Sequence, residues 1–176
     1  MGAVLVLATT ADGAIDRVSL QALTLGCSLA AGGPVHVLLI GDESQAAELG
    51  AWGATAVHVA SHPSLTSFAP DAMARIVDDL AVRLGADVVV GAGTEAGNTV
   101  MARAAARAGL PFAANCTAAT PGSPLTVTRL RWGGSLLEEG AIHADRAMLT
   151  VAPHAITATP TGGTATVQVF TPQLDD

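Results

Sequence analysis

Residues 85–99 read Gly85-Ala86-Asp87-Val88-Val89-Val90-Gly91-Ala92-Gly93-Thr94-Glu95-Ala96-Gly97-Asn98-Thr99. A short apolar run, Asp87–Val90, meets a glycine-rich turn, and the turn leads into a helical pattern that starts at Gly97 or Asn98 and runs to about Ala108. A continuous apolar run of this length suits a parallel strand buried on both faces. In open α/β sheets ligands gather at the carboxyl ends of such strands, near a switch in strand order. A turn that opens a helix also presents unpaired N–H groups and the positive end of the helix dipole. Gly93, Thr94, Gly97, Asn98 and Thr99 are therefore the candidate cofactor-binding residues, with Thr94, Asn98 and Thr99 able to add side-chain hydrogen bonds. A tight turn followed by an N-capped helix, with no ligand at all, is the weightier of the two readings from the residues. The loop matches neither GxGxxG nor a Walker motif.

Working toward the N-terminus, the same grammar recurs. Ala3–Ala8 is an apolar run, followed by a turn at Asp12-Gly13 and a helix from about Arg17 to Ala30, with Leu20, Leu23, Cys27 and Ala30 or Ala31 along one face. Ala31-Gly32-Gly33-Pro34 stops that helix. Val35–Ile40 is the next strand, and Gly41-Asp42 opens a second helix through about Gly50, with Asp42 as its N-cap. Ala56–Ala60 is a third strand. Asp71–Leu84 forms an amphipathic helix with Met73, Ile76, Val77 and Leu80 inward and Arg75, Asp78, Asp79 and Arg83 outward. Repeated strand–helix alternation predicts an α/β, doubly wound, mostly parallel sheet with right-handed crossovers.

After Cys116, placed at a strand end, the pattern changes. Leu125–Leu130 alternates as a half-buried antiparallel strand does, Gly133-Gly134 breaks the chain, and Ser135–Ile142 and Ala147–Val151 read as further short strands. Thr157–Gly163 has the composition of a flexible linker, and Thr164–Phe170 is a last alternating strand. The expected organisation is one domain over 1–170, made of an α/β core (1–116) and a small β-rich C-terminal addendum (117–170), with 171–176 a tail.

Composition narrows the chemistry. Half of the 176 residues are hydrophobic, 13% are charged and only 3% are aromatic. A core of such small side chains favours close helix–sheet packing over a pocket walled by rings. The net charge is −7, and all eight cations are Arg. An acidic chain without a basic stripe is a poor partner for nucleic acid, and the absence of Lys removes Schiff-base chemistry and a P-loop lysine. Cys27 and Cys116 stand far apart without a CxxC, so buried thiols are the default reading. No segment reads as a signal peptide or a membrane span, so the expected location is cytoplasmic.

No complete catalytic centre is legible. His36 and His58 alternate within strands, His62 precedes Pro63, and none of the five histidines shows HExxH spacing or a nearby Cys, so no metal site is assigned. Glu138 and Glu139 are adjacent, so on a strand they point to opposite faces and are expected to be solvated. The serines lack a GxSxG elbow. Trp132, between Arg129-Leu130-Arg131 and Gly133-Gly134, suits either an interface anchor or a lid over the small-residue core.

Taken in order, several segments resemble the N-terminal domain of the electron-transfer flavoprotein alpha subunit, a fold akin to the adenine-nucleotide-hydrolase domains. They are Val4–Ala8, Ser19–Leu23, Gly53-Ala54 with Val57–Val59, His62–Leu65, and Gly85–Val90 with Thr94 and Gly97. Cys116–Ala118, Trp132–Leu137 and Leu149–Pro153 complete the series, which spans roughly residues 3–170. Where that family usually has Gly-Arg-Asp this chain has Gly97-Asn98-Thr99, and Ala152 replaces an Arg. The family's flavin-holding C-terminal loop has no counterpart. The resemblance therefore implies an alpha-type subunit, or a component of one, that supplies scaffold and interface. FAD in the assembled complex would be held mainly by a partner chain or by the domain not represented here, with AMP as a further ligand of the family. The implied partners are a beta-type subunit, a flavin-binding chain and a flavin-dependent dehydrogenase. The alternative is a stand-alone adenine-nucleotide-binding module without a redox role.

Overall fold

The hexamer Ala3–Ala8 forms β1, and all six of its side chains are buried, because it lies in the middle of a sheet covered on both faces. The computed structural model describes residues 2–40, 42–65 and 67–174. A two-residue hairpin follows, β2 (Thr10–Ala11) and β3 (Ala14–Ile15), turning at Asp12 and Gly13 with positive φ at both, as a tight two-residue loop requires. The main elements are then α1 (Arg17–Ala30), β4 (Val35–Ile40), β5 (Ala56–Ala60), α2 (Pro70–Leu84), β6 (Ala86–Ala92) and α3 (Glu95–Ala108). They continue with β7 (Phe112–Thr120), β8 (Leu125–Arg131), β9 (Leu136–Ile142), β10 (Ala147–Val151) and β11 (Thr166–Phe170).

Nine strands make one sheet in the order β11-β5-β4-β1-β6-β10-β7-β8-β9. From β11 to β7 every pairing is parallel, whereas β8 and β9 are antiparallel. This is the expected mostly parallel α/β sheet. Val4, Val6, Val37, Val59, Val90 and Leu149 face α1 on one side. Leu5, Leu7, Leu38, Val89 and Met148 face α2 and α3 on the other. The close seat of α1 depends on Gly26, where an added Cβ would come within 2.7 Å of a Val6 methyl.

The segment expected as a β-rich addendum has three destinations. Only β8 and β9 form an antiparallel edge. β10 inserts between β6 and β7, and β11 crosses to the far edge beside β5. All five side chains of β10 are buried, which is what an internal parallel strand needs and what a peripheral strand would not show. The presumed flexible linker is instead a strap over α1. The His154 N–H donates to Gln21 Oε1, the Thr159 N–H to Thr24 Oγ1, and the Thr161 and Gly162 N–H groups to the Ala51 carbonyl. Ile156, Ala158 and Ala165 pack beneath it on the core.

Smaller corrections follow from local chemistry. The helix expected from Gly41-Asp42 is two 3-10 turns, Glu43–Gln45 and Ala47–Trp52. Gly41 lies outside the described residues, but Asp42 caps as expected, accepting the Ser44 N–H. Gly50 lies directly beneath Thr164 and Ala165, where no side chain fits. Cys116 is mid-strand in β7, not at a strand end, and burial pushes its thiol up to about 12, against the opposing influence of Arg129. Cys27 is half-buried, and burial raises its pKa too. Asp78 is turned inward rather than outward, lying 3.6 Å from Arg107 and 3.8 Å from Arg146.

On the α2 side, His36 of β4 and His58 of β5 meet, Nδ1 to Nε2 at 3.1 Å. Burial lowers both pKa values below the ordinary 6.5, and at His58 the positive charge of His36 and Arg83 adds to the effect. The folded chain thus binds fewer protons than the unfolded chain below that pH. The stability contributed by the neutral pair is present above the unfolded-state value and is lost as pH falls through the lowered values. Denaturant midpoints are expected to drop between about pH 7 and about pH 5, and His58→Gln should make that drop shallower. Equal slopes for the two proteins would refute the assignment.

Candidate functional site

The loop after β6 stands at the carboxyl end of the parallel strands. Strand order reverses between β1 and β6, since the chain runs outward from β1 to β4 and β5 on one side and to β6 and beyond on the other. The crevice between the end of β1 and this loop is where doubly wound folds place their ligands. Gly93, Thr94, Gly97, Asn98 and Thr99 therefore stand at the expected end of the sheet, all half-buried except the buried Gly97.

Each of the first four is engaged within the protein. The Gly93 N–H donates to the Val151 carbonyl at 2.8 Å, and an added Cβ would run into that carbonyl and into Asn115 Oδ1. Thr94 is the N-cap of α3, its Oγ1 accepting the Gly97 N–H at 3.1 Å, so the helix begins at Glu95 rather than at Gly97 or Asn98. Gly97 presses against the Ala92 carbonyl, leaving no room for a side chain. Asn98 belongs to a polar triangle. Thr150 Oγ1 donates to Asn98 Oδ1 at 2.7 Å and accepts the Asn115 N–H at 2.9 Å, while Asn98 Nδ2 donates to Asn115 Oδ1 at 3.1 Å. Thr150 is wholly buried, and Asn115 adopts φ +56°, at an irregularity in the β7–β10 ladder. Neither Asn115 nor Thr150 announced itself in the sequence. Only the insertion of β10 brings them to Asn98.

The helix ends around the crevice already carry carboxylates. Asp16 caps α1, accepting the Ser19 N–H at 3.0 Å, and Glu95 occupies the first turn of α3. Carboxylates there satisfy the helix dipoles that a phosphate would otherwise meet. Arg17, exposed, is the nearby cation in the first turn of α1. The N–H groups of Gly93, Gly97 and Asn98 and the side chains of Thr94 and Asn98 are engaged within the protein, which leaves the N–H groups of the first turn of α3 as the donors this loop would offer a cofactor. Among the described residues no three His, Cys, Asp or Glu side chains converge as a metal-holding group.

A concavity of about 870 Å³ opens at the opposite end of the sheet. It lies between the amino ends of β6 and β10 and the β7–β8 turn, with Asp87, His143 and Asp145 among its polar walls. Asp87 there accepts the Gly2 N–H. The groove is remote from the loop and adds nothing to it.

A second region is more exposed than the sequence suggested. The β8–β9 hairpin ends at Trp132, which is 81% exposed and therefore no lid over the core. Leu136 and Leu137 beside it are 52% and 68% exposed. Trp132, Gly133 and Gly134 all have positive φ, which makes the tight tip. Glu138 is not simply solvated. It pairs with Arg129 at 2.6 Å and with Arg131 at 3.3 Å, bracing the two strands. The arrangement presents exposed apolar side chains on both faces of a braced hairpin at one edge of the sheet.

The family model described as the electron transfer flavoprotein domain matches residues 4–175. No curated protein matches the chain. No helix among the described residues is long and apolar enough to cross a membrane.

Two substitutions separate architecture from ligand contact in the loop. Thr150→Val should strand the Asn115 N–H and Asn98 Oδ1 and lower unfolding stability by about 1–3 kcal/mol. Gly97→Ala should cost a similar amount, about 1–3 kcal/mol, by overpacking against Ala92. Chemical denaturation reads both, and a Thr150→Val protein as stable as the parent would show that the triangle carries no load.

Proposed function

We propose, given that this chain belongs to the electron transfer flavoprotein domain family, that it is an alpha-type subunit or component of such a flavoprotein. In this reading it works in the cytoplasm as scaffold and docking surface, while FAD is held mainly by a partner chain. The bound flavin supplies the redox chemistry. What this chain contributes is position: a mostly parallel sheet and a hairpin braced by Glu138.

The observation that carries the reading is the exposed Trp132 at the hairpin tip, with Leu136 and Leu137 exposed on the two faces of the adjoining strand. Apolar side chains of this size are costly to leave in water, and aromatic anchors of this type dominate protein interfaces. The ion pairs from Glu138 to Arg129 and Arg131 limit the ordering that docking would require. A beta-type chain and a flavin-binding chain are the proposed partners, with a flavin-dependent dehydrogenase served by the assembly. The internal use of Gly93, Thr94, Gly97 and Asn98 supports a flavin held elsewhere, and leaves Thr99 and the unbonded N–H groups of Glu95 and Ala96 as this loop's contribution to any shared cofactor contact.

The second reading, a stand-alone module for an adenine nucleotide, rests on the position of the loop beside the β1/β6 switch point. Asp16 and Glu95 at the helix ends weigh against it, since an incoming phosphate meets their charge.

Co-expression of the tagged chain with its genomic neighbours should yield a yellow complex with oxidised-flavin absorbance. The double variant Trp132→Ala/Leu137→Ser should retain its fold, because both side chains are exposed, yet lose at least about tenfold in partner affinity. Absence of flavin in every co-expression, together with saturable heat on titration with AMP, ADP or ATP, would replace this reading with the second one.

A further inference from the structure

At the end of the sheet opposite the hairpin, β11 pairs with β5 on one side only. The register decides which backbone groups that pairing uses. The Thr166 N–H donates to the Thr55 carbonyl and the Ser61 N–H to the Phe170 carbonyl, so the even-numbered residues of β11 face β5. Alternate residues of a strand direct their polar groups to opposite edges. Val167 and Val169 therefore turn their N–H and C=O groups to the open edge. These same two residues have exposed side chains, 42% and 54%, on the α1 side of the sheet, in register with buried Val57 and Val59.

Natural edge strands are guarded by charge, proline or a bulge. Thr166–Phe170 has none of these, and no Asp, Glu, Lys or Arg occurs from residue 155 to residue 174. In a chain of net charge −7 that absence matters. A second copy meets like charge over most of the surface but none along this strand.

We propose that β11 is a self-pairing edge, joining two copies of the chain antiparallel about a two-fold axis at Gln168. In that register Val167 lies opposite Val169 of the second copy, and the reverse, so the outward N–H and C=O groups of both valines are satisfied in both copies. The four valines meet on one face as a continuation of the Val57–Val59 row. Gln168 lies opposite itself, in a non-hydrogen-bonded pair, on the face that carries Phe170 and Arg83. The interface is one strand wide, so the dimer is concentration-dependent rather than obligate. It is independent of the hairpin, and the two surfaces can be occupied together.

Sedimentation velocity on the full chain over a concentration series should show a mass rising from 17.5 kDa toward twice that value. Val169→Lys places an added charge on each side of the axis and should hold the protein at monomer mass with an unchanged melting profile. The register has its own test. Gln168→Cys puts two thiols on Cα atoms about 4.5 Å apart, within disulfide reach. In Val167→Cys they are roughly 8 Å apart and out of reach. Mild oxidation should convert Gln168→Cys to covalent dimer at least fivefold faster than Val167→Cys, with the parent protein unlinked. Monomer mass at every concentration up to about 1 mM would overturn the proposal. So would a Val169→Lys protein that dimerises like the parent, or equal cross-linking of the two cysteine variants.

Discussion

The hydroxyl of Thr150 is buried where three parallel segments meet, and the carboxyl end of the sheet is organised around it. It spends its proton on Asn98 and accepts the amide proton of Asn115, so the turn into α3, the inserted β10 and the irregular β7 share one hydrogen-bonded knot. Because Thr150 is wholly buried, its hydroxyl would be costly to leave without these partners. The completed knot fixes the height of the loop above the sheet. Gly93 beside it is pressed against the Val151 carbonyl and Asn115 Oδ1, and Gly97 against the Ala92 carbonyl, so neither has room for a side chain. The consequence for function is that the most ligand-like stretch of the sequence is occupied with holding the fold together.

That division of labour moves the interest from the crevice to the ends of the sheet. At one end a hairpin braced by Glu138 carries an apolar tip, and at the other an uncharged strand leaves its backbone open. Between them lie the two buried layers, α1 with its strap on one face and α2 with α3 on the other. A rigid sheet with recognition features at its margins suits a component whose chemistry is supplied by something it holds.

The sequence made much of this legible, for identifiable reasons. Ala3–Ala8, Val35–Ile40 and Asp87–Val90 are apolar runs of strand length bounded by turn residues, and only a strand covered on both faces tolerates that pattern. The helices Arg17–Ala30 and Asp71–Leu84 showed their buried stripes, and in the second Asp78 was misread, because its inward partners, Arg107 and Arg146, come from distant segments. What was not legible depended on strand order. Ala147–Val151 looked like any short strand, and nothing local distinguishes an edge position from the place between β6 and β7. The Asn98–Thr150–Asn115 triangle and the His36–His58 contact were invisible for the same reason: each joins residues from neighbouring strands whose register only the assembled sheet defines. The Gly/Thr-rich strap misled by composition, since its order comes from Gln21, Thr24 and Ala51 beneath it.

That β10 follows both of its sheet neighbours in the chain has a bearing on how this protein comes into being. Five parallel strands and three helices precede it, yet β6 and β7 cannot reach their final separation until Ala147–Val151 has been made and threaded between them. A nascent chain stalled before that point holds either a gap or a mispaired β6–β7 ladder, with valines exposed to neighbouring chains on the same message. The sheet is therefore completed only after β10 and β11 have been made, and its many long-range pairings make that closure slow. Such a domain leans on whatever shields its unfinished interior in the interval, so its yield in a cell will be governed by chaperone supply and translation rate as much as by its final stability.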